Sequence, residues 1–138
     1  MRPNPIIVPS SPVNYPPNPN FGYNHPLKKA FDRGLMPEVK RGLLGHELTI
    51  KNRSLEHLTP KSQGGGLGWN NVALTDRIAN SLRGLRPIEE LVTHEMWIKY
   101  LRQFINVKND FVDGMQYIKA LCRRFKIDLR EVLDVKKD

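Results

Sequence analysis

Cysteine and long hydrophobic runs are the scarcest features of this 138-residue sequence. Its one cysteine, Cys122, excludes an internal disulfide and a cysteine-based zinc knuckle, and it gives no sign of secretion. No apolar run approaches the roughly 18 to 20 residues that cross a bilayer, and the N-terminus lacks the basic-then-apolar pattern of a signal peptide. These absences predict a soluble intracellular protein, of unspecified compartment, that does not insert into a membrane.

Acidic residues are also few, since 14 Asp and Glu stand against 22 Lys and Arg, which gives a formal net charge of +8. This excess of positive charge predicts an anionic partner such as nucleic acid or a membrane surface. The length accommodates one small domain with tails and excludes a large multidomain enzyme.

Proline is concentrated at the N-terminus, where eight of the 11 prolines lie between Pro3 and Pro26. Residues 1–26 hold one charged residue, Arg2, and too few apolar residues to build a core. Proline fixes φ and removes backbone donors, so residues 1–26 are predicted to form an extended arm that a protein or nucleoprotein partner would hold. Residues 27–40 follow as a short helical lead-in, with a helix predicted over 27–34.

The central block alternates short strand patterns with turn residues. Strands are predicted over 47–50, 54–59 and 71–75, with a Gly-rich loop over 61–68. A helix is predicted over 76–83, with Asp76 as its N-cap and Gly84 as its end.

Helical spacing dominates the C-terminal part, residues 88–138. Pro87, followed by two glutamates, predicts a helix start there, and His94 falls on the apolar stripe of that helix. A second apolar stripe runs from Phe111 to Phe125, and a short helix is predicted over 129–133. These helices are expected to cover the central block.

One segment carries most of the functional information: residues 55–74 read LEHLTPKSQGGGLGWNNVAL, and residues 80–84 read NSLRG. It resembles the HNH endonuclease family, whose pattern is an acidic residue and His on a strand, a Pro-x-Ser-x-Gly-Gly loop, an Asn opening the second strand, and Asn or His on the following helix. The matching triad is His57, Asn71 and Asn80. The likeness extends through Trp69 and the RPIEE sequence at 86–90, and it covers residues 42–91.

The resemblance implies an α+β fold: a small ββα-metal finger over residues 41–87, with added C-terminal helices and the Pro-rich arm. Many relatives hold a structural zinc ion with two cysteine pairs. The corresponding stretches here, 43–46 and 76–79, contain no cysteine. We therefore expect no structural zinc, and packing must hold the finger together.

Phosphodiester hydrolysis needs an activated water and neutralisation of charge on the phosphoryl oxygens. A neutral imidazole accepts a proton near neutral pH, which suits His57 as general base. By resemblance, Glu56 and Asn80 are ligands of one divalent metal ion, Mg²⁺ with Mn²⁺ as a substitute. Asn71, also by resemblance, holds the loop and orients the base.

Strand geometry raises a difficulty, because adjacent residues such as Glu56 and His57 point to opposite faces of a flat strand. A twist or bulge must re-aim one of them. Otherwise Glu56 is a surface acid, and Asn80 binds the metal with waters.

The expected substrate is nucleic acid, with DNA favoured over RNA and a single site nicking one strand. Lys61, Arg77 and Arg83 are the predicted nucleic-acid-binding residues, because Arg77 and Arg83 flank Asn80 at helical spacing. Two other functions stay open. One is a structural or nucleic-acid-binding component of a virion or ribosome that retains the HNH fold, and the other is a toxin nuclease with an immunity partner.

Overall fold

The computed structural model describes residues 25–134, which form a mixed α+β arrangement. Within that range there are five α-helices and one two-stranded antiparallel sheet. In chain order the elements are α1 (Pro26–Asp32), β1 (Arg53–His57), β2 (Val72–Asp76), α2 (Arg77–Arg83), α3 (His94–Arg102), α4 (Gly114–Phe125) and α5 (Leu129–Leu133). None of the described helices has the length and apolar character needed to span a membrane.

The two strands form a regular hairpin whose register runs from Arg53 opposite Asp76 to His57 opposite Val72 without a bulge. The outer edge of β2 is covered by side chains from the helices. Tyr100 of α3 accepts a hydrogen bond from the Leu74 amide at 2.9 Å, and Tyr117 of α4 donates one to the Val72 carbonyl at 2.7 Å. The two hydroxyls are themselves 3.0 Å apart. These bonds satisfy an edge that would otherwise be an unpaired row of polar groups.

The core forms where the hairpin packs against α1 and, through Tyr100 and Tyr117, against α3 and α4. Every residue of β2 is buried, including the polar Thr75 and Asp76 at its end. After the hairpin in sequence, the largest fully buried apolar side chains are Ile88, Leu101, Phe104, Tyr117, Ile118 and Leu121. The prediction that the C-terminal helices cover the central block is confirmed.

Two secondary-structure predictions are wrong. Residues 47–50 form no strand: Glu47 makes one isolated bridge with Arg41, and a turn begins at Ile50, where the Asn52 side chain bonds the backbone of Thr49 and Glu47 and folds the chain back. The helix predicted from Pro87 is a single 3₁₀ turn over Ile88–Glu90.

Helix α3 begins later, at His94, because the Thr93 hydroxyl accepts from the Met96 amide and caps it. His94 is therefore at the exposed first turn, bonded to Glu131, and not on the buried stripe.

The boundary between arm and lead-in also moves. Pro26 is the first residue of α1, where a missing amide hydrogen has no cost, and His25 caps the helix by accepting from the Leu27 amide. The helix ends at Asp32, close to the predicted end. The prediction of an extended arm otherwise concerns residues 1–24, which lie outside the described residues, as do residues 135–138.

Hydrogen bonds join residues 43–46 to β2. His46 donates from Nδ1 to Asp76 Oδ1 at 2.7 Å, and the Leu43 amide donates to the Leu74 carbonyl at 2.8 Å. Asp76 Oδ2 accepts from the Ala79 amide and so caps α2. Gly42 lies so close to Thr75 that a Cβ there would be 2.7 Å from its Cα. Asp76 thus links residues 43–46 to the start of α2.

Because Asp76 makes two separate contacts, Asp76→Ala should destabilise the protein more than His46→Ala. Losing an N-cap costs about 1 kcal/mol and losing one further hydrogen bond about 1 kcal/mol, so we expect about 2 kcal/mol for Asp76→Ala. For His46→Ala we expect about 1 kcal/mol. Urea denaturation of both variants measures the difference, and equal losses would contradict the double role of Asp76.

Candidate active site

A cleft of about 450 Å³ opens between the end of β1, the loop after it and helix α2. Five of the seven predicted site residues line it: His57, Lys61, Arg77, Asn80 and Arg83. Glu56 and Asn71 do not. The lining also includes Ser62, which belongs to the Pro-x-Ser-x-Gly-Gly pattern, and Ser54 and Ser81, which sequence reasoning missed. Serine is common in loops and on helix surfaces, so its presence gave no signal.

His57 is the last residue of β1, with its side chain at the cleft and 8 % of its surface exposed. Burial lowers the pKa of its imidazole, and the nearby positive charge of Lys61 lowers it further. The ring is therefore neutral at neutral pH, which is the form that accepts a proton. This chemistry agrees with the role predicted for His57.

Asn80 lies on α2 and faces the hairpin. Its Nδ2 donates to the Ser54 hydroxyl at 3.2 Å, which sets the orientation of the amide. No described residue donates a hydrogen bond to its Oδ1. The amide oxygen is therefore the side-chain acceptor that Asn80 offers at the cleft.

Glu56 occupies a different environment from the one predicted. Its side chain is fully buried, and Oε1 accepts from Arg83 Nη1 at 2.7 Å. Oε2 is buried without a hydrogen-bond partner among residues 25–134. Burial raises the pKa of the Glu56 carboxyl, and the Arg83 charge opposes this shift. Because no bulge re-aims the strand, Glu56 is neither a cleft residue nor a surface acid.

Arg83 is the residue that keeps Glu56 in place. Its guanidinium is 3 % exposed and donates to Glu56, to the backbone carbonyls of His57 and Leu58, and to the carbonyl of Arg86. These four bonds use four of its five N–H groups. Arg83 therefore fixes the end of β1. The sequence had predicted a different role for it, a contact with nucleic acid.

The donors at the cleft do not fit a divalent metal ion held by Glu56 and Asn80. Mg²⁺ is bound in proteins through one or two carboxylates. Here the carboxylate is sealed behind Arg83, and the cleft offers one neutral amide oxygen among three cationic side chains. Within residues 25–134 there is likewise no group of three or more His, Cys, Asp or Glu side chains that would hold a metal. The ligand pair implied by the resemblance is not assembled.

Asn71 braces the loop between the two strands. Its Oδ1 accepts from the Thr59 amide and from Arg124, and its Nδ2 donates to the carbonyls of Thr59 and Gly66. Four bonds exhaust the capacity of an amide side chain, so Asn71 makes no additional direct bond to the His57 ring. Asn71 was predicted to orient His57. Its contact nearest to His57 is a backbone hydrogen bond, in which the Leu58 amide donates to the Asn71 carbonyl.

Two residues outside the motif also support the loop, and sequence reasoning missed both. His25 bonds the Leu67 carbonyl through Nε2 at 3.1 Å and meets the Trp69 ring edge-on at 4.9 Å between centroids. Arg124 of α4 reaches Thr59 and Asn71. A signal existed for Arg124, because it lies seven residues after Tyr117 and so on the same face of the helix.

The sequence matches no protein-family model. No curated protein and no solved structure is significantly similar to it either.

The Arg83–Glu56 pair gives a stability prediction. Arg83→Met should lower the free energy of unfolding by about 3 to 5 kcal/mol, because it leaves the buried Glu56 carboxyl and two strand-end carbonyls without their donor. Glu56→Gln keeps an acceptor for Arg83 and should cost much less. Chemical denaturation of the two variants measures this. A small loss in Arg83→Met would contradict the structural role.

Proposed function

We propose that this protein hydrolyses phosphodiester bonds of nucleic acid, with DNA as the expected substrate, in the cleft at the end of β1. The observation that carries the proposal is the placement of a neutral His57 in one cleft with Lys61, Arg77 and Asn80. The HNH resemblance of residues 42–91 supports the same activity. A cleft with a proton acceptor and cationic side chains has the components that attack on a phosphodiester requires.

The residues divide the chemical work among them. His57 accepts a proton from the attacking water as that water bonds to phosphorus, and its lowered pKa keeps it in the accepting form. The P–O bond to the leaving oxygen breaks, and that oxygen takes a proton from solvent. Lys61, on the loop, and Arg77, on α2, neutralise charge on the phosphate from two sides of the cleft. Asn80 and Ser54 form a hydrogen-bonded pair that orients polar atoms toward the phosphate or the water. A single cleft of this kind would cut one strand.

A second function is favoured by the burial of Glu56. A cleft that presents cations and no carboxylate binds a phosphate backbone whether or not it cuts it. The chain would then be a nucleic-acid-binding component of a larger nucleoprotein assembly that retains the scaffold. Binding without hydrolysis by folded protein would favour this function.

Nicking of supercoiled plasmid tests the main proposal. Wild-type protein is incubated with Mg²⁺, Mn²⁺ or EDTA, beside His57→Ala and the control His94→Ala, which removes an exposed histidine of α3. We expect His57→Ala to slow nicking by about 10²-fold or more, and His94→Ala to leave it unchanged.

Two results of this assay bear on the alternatives. Equal nicking by His57→Ala would contradict the role of His57, and no nicking by folded wild-type protein under any condition would contradict hydrolysis. The EDTA arm measures whether nicking needs a metal ion. Glu56 is bonded to Arg83, so a metal requirement would point to ligands other than Glu56.

The charge of Lys61 gives a pH prediction. Because Lys61 lowers the pKa of His57, removing the charge in Lys61→Gln should raise that pKa toward its ordinary value. The base is active when deprotonated, so the acid side of the kcat/KM profile should move to higher pH. The profile is measured between pH 4 and pH 8, a span of about four units around the ordinary histidine pKa. A shift to lower pH would contradict this electrostatic coupling.

A further inference from the structure

Arg124, near the end of α4, lies 53 residues after Asn71 in sequence. It nevertheless bonds directly to the residues that flank the Gly-rich loop, Thr59 on one side and Asn70 and Asn71 on the other. Its Nη1 donates to the Asn70 carbonyl at 2.8 Å and to Asn71 Oδ1 at 2.6 Å, and its Nη2 donates to the Thr59 hydroxyl at 2.5 Å. Asn71 bonds both the amide and the carbonyl of Thr59. The guanidinium therefore clamps the two sides of the loop where they meet.

The clamped loop forms one wall of the cleft. Pro60, Lys61 and Ser62 line the cleft and directly follow Thr59. Above the clamp the loop closes tightly: the Gly65 amide bonds the Pro60 carbonyl, and a Cβ on Gly65 would be 1.8 Å from the Thr59 carbonyl oxygen. A shift of the Thr59 backbone would therefore also move Lys61 and the wall of the cleft that the loop forms.

Helix α4 is a rigid support for this clamp. Tyr117, two turns before Arg124, is fully buried between Tyr100 and the Val72 carbonyl of β2. The Arg124 guanidinium also lies 4.7 Å from the Phe125 ring centroid. The adjacent Arg123 is exposed and carries the same charge, so the two arginines form a matched pair for experiment.

We propose that Arg124 is a positioning residue of the cleft: it holds Thr59 and Asn71 so that the loop wall carrying Lys61 stands at the distance a phosphate requires. This inference rests on the proposed function, because it assigns Arg124 a part in binding the same substrate. His57 is held separately, by strand pairing and by Arg83. Loss of Arg124 should therefore weaken substrate binding more than it slows the chemical step.

Steady-state kinetics of Arg124→Gln, Arg124→Lys and Arg123→Gln on an oligonucleotide substrate test this separation. We expect Arg124→Gln to raise KM by about 10-fold, which corresponds to about 1.4 kcal/mol of binding, with kcat within about two-fold of wild type. Arg124→Lys should recover part of the loss, and Arg123→Gln should behave as wild type. An unchanged KM in Arg124→Gln, or an equal rise in Arg123→Gln, would overturn the proposal.

Two measurements without catalysis separate failure of this inference from failure of the proposed function. Hydrogen exchange of the Gly64 and Gly65 amides should be faster in Arg124→Gln than in Arg123→Gln. The affinity for a phosphorothioate oligonucleotide in EDTA should fall about 10-fold in Arg124→Gln relative to Arg123→Gln. If both changes occur in a protein that does not cut DNA, Arg124 positions a binding cleft and hydrolysis is refuted. If neither occurs, the role of Arg124 is refuted whatever the activity.

Discussion

The buried ion pair between Arg83 and Glu56 is the contact on which the cleft depends. One guanidinium ties the carboxylate of β1, the carbonyls of His57 and Leu58, and the carbonyl of Arg86. The strand end, helix α2 and the chain after α2 therefore meet at a single side chain. A buried charge pair of this kind is costly to break from one side, because the remaining charge stays in a low-dielectric interior. His57 takes its position from this arrangement.

The surrounding parts fix the other walls. Asn71 and Arg124 hold the loop that carries Lys61, while the Tyr100–Tyr117 pair fixes β2 against α3 and α4. The resulting cleft presents cations and neutral polar groups, and the Glu56 carboxylate is bonded to Arg83 and does not line it. Such a surface suits an anionic ligand, which is the physical basis of the proposal that a phosphodiester binds there.

Local chemistry made some of this arrangement predictable from the sequence. The hairpin around the Gly-rich loop and the Asp76 cap follow from strand patterns, turn residues and capping rules that act over a few residues, whereas the α+β class was expected from the resemblance. The position of Glu56 could not be predicted in this way. Strand alternation indicates that Glu56 and His57 point to opposite faces, but it does not indicate that Arg83 lies on the face of Glu56. Arg124 was missed for a similar reason: its spacing from Tyr117 indicates a shared face of α4, but not which residues more than 50 positions away that face contacts.

Mapping the bound substrate tests the account most directly. Amide chemical shifts of the ¹⁵N-labelled protein are followed while a short phosphorothioate DNA is added in EDTA. The account predicts that the perturbed amides cluster around Ser54, Lys61, Arg77 and Asn80, with those of α5 unaffected. Perturbations confined to surfaces away from these residues would contradict the claim that the cleft at the end of β1 is where this protein meets nucleic acid.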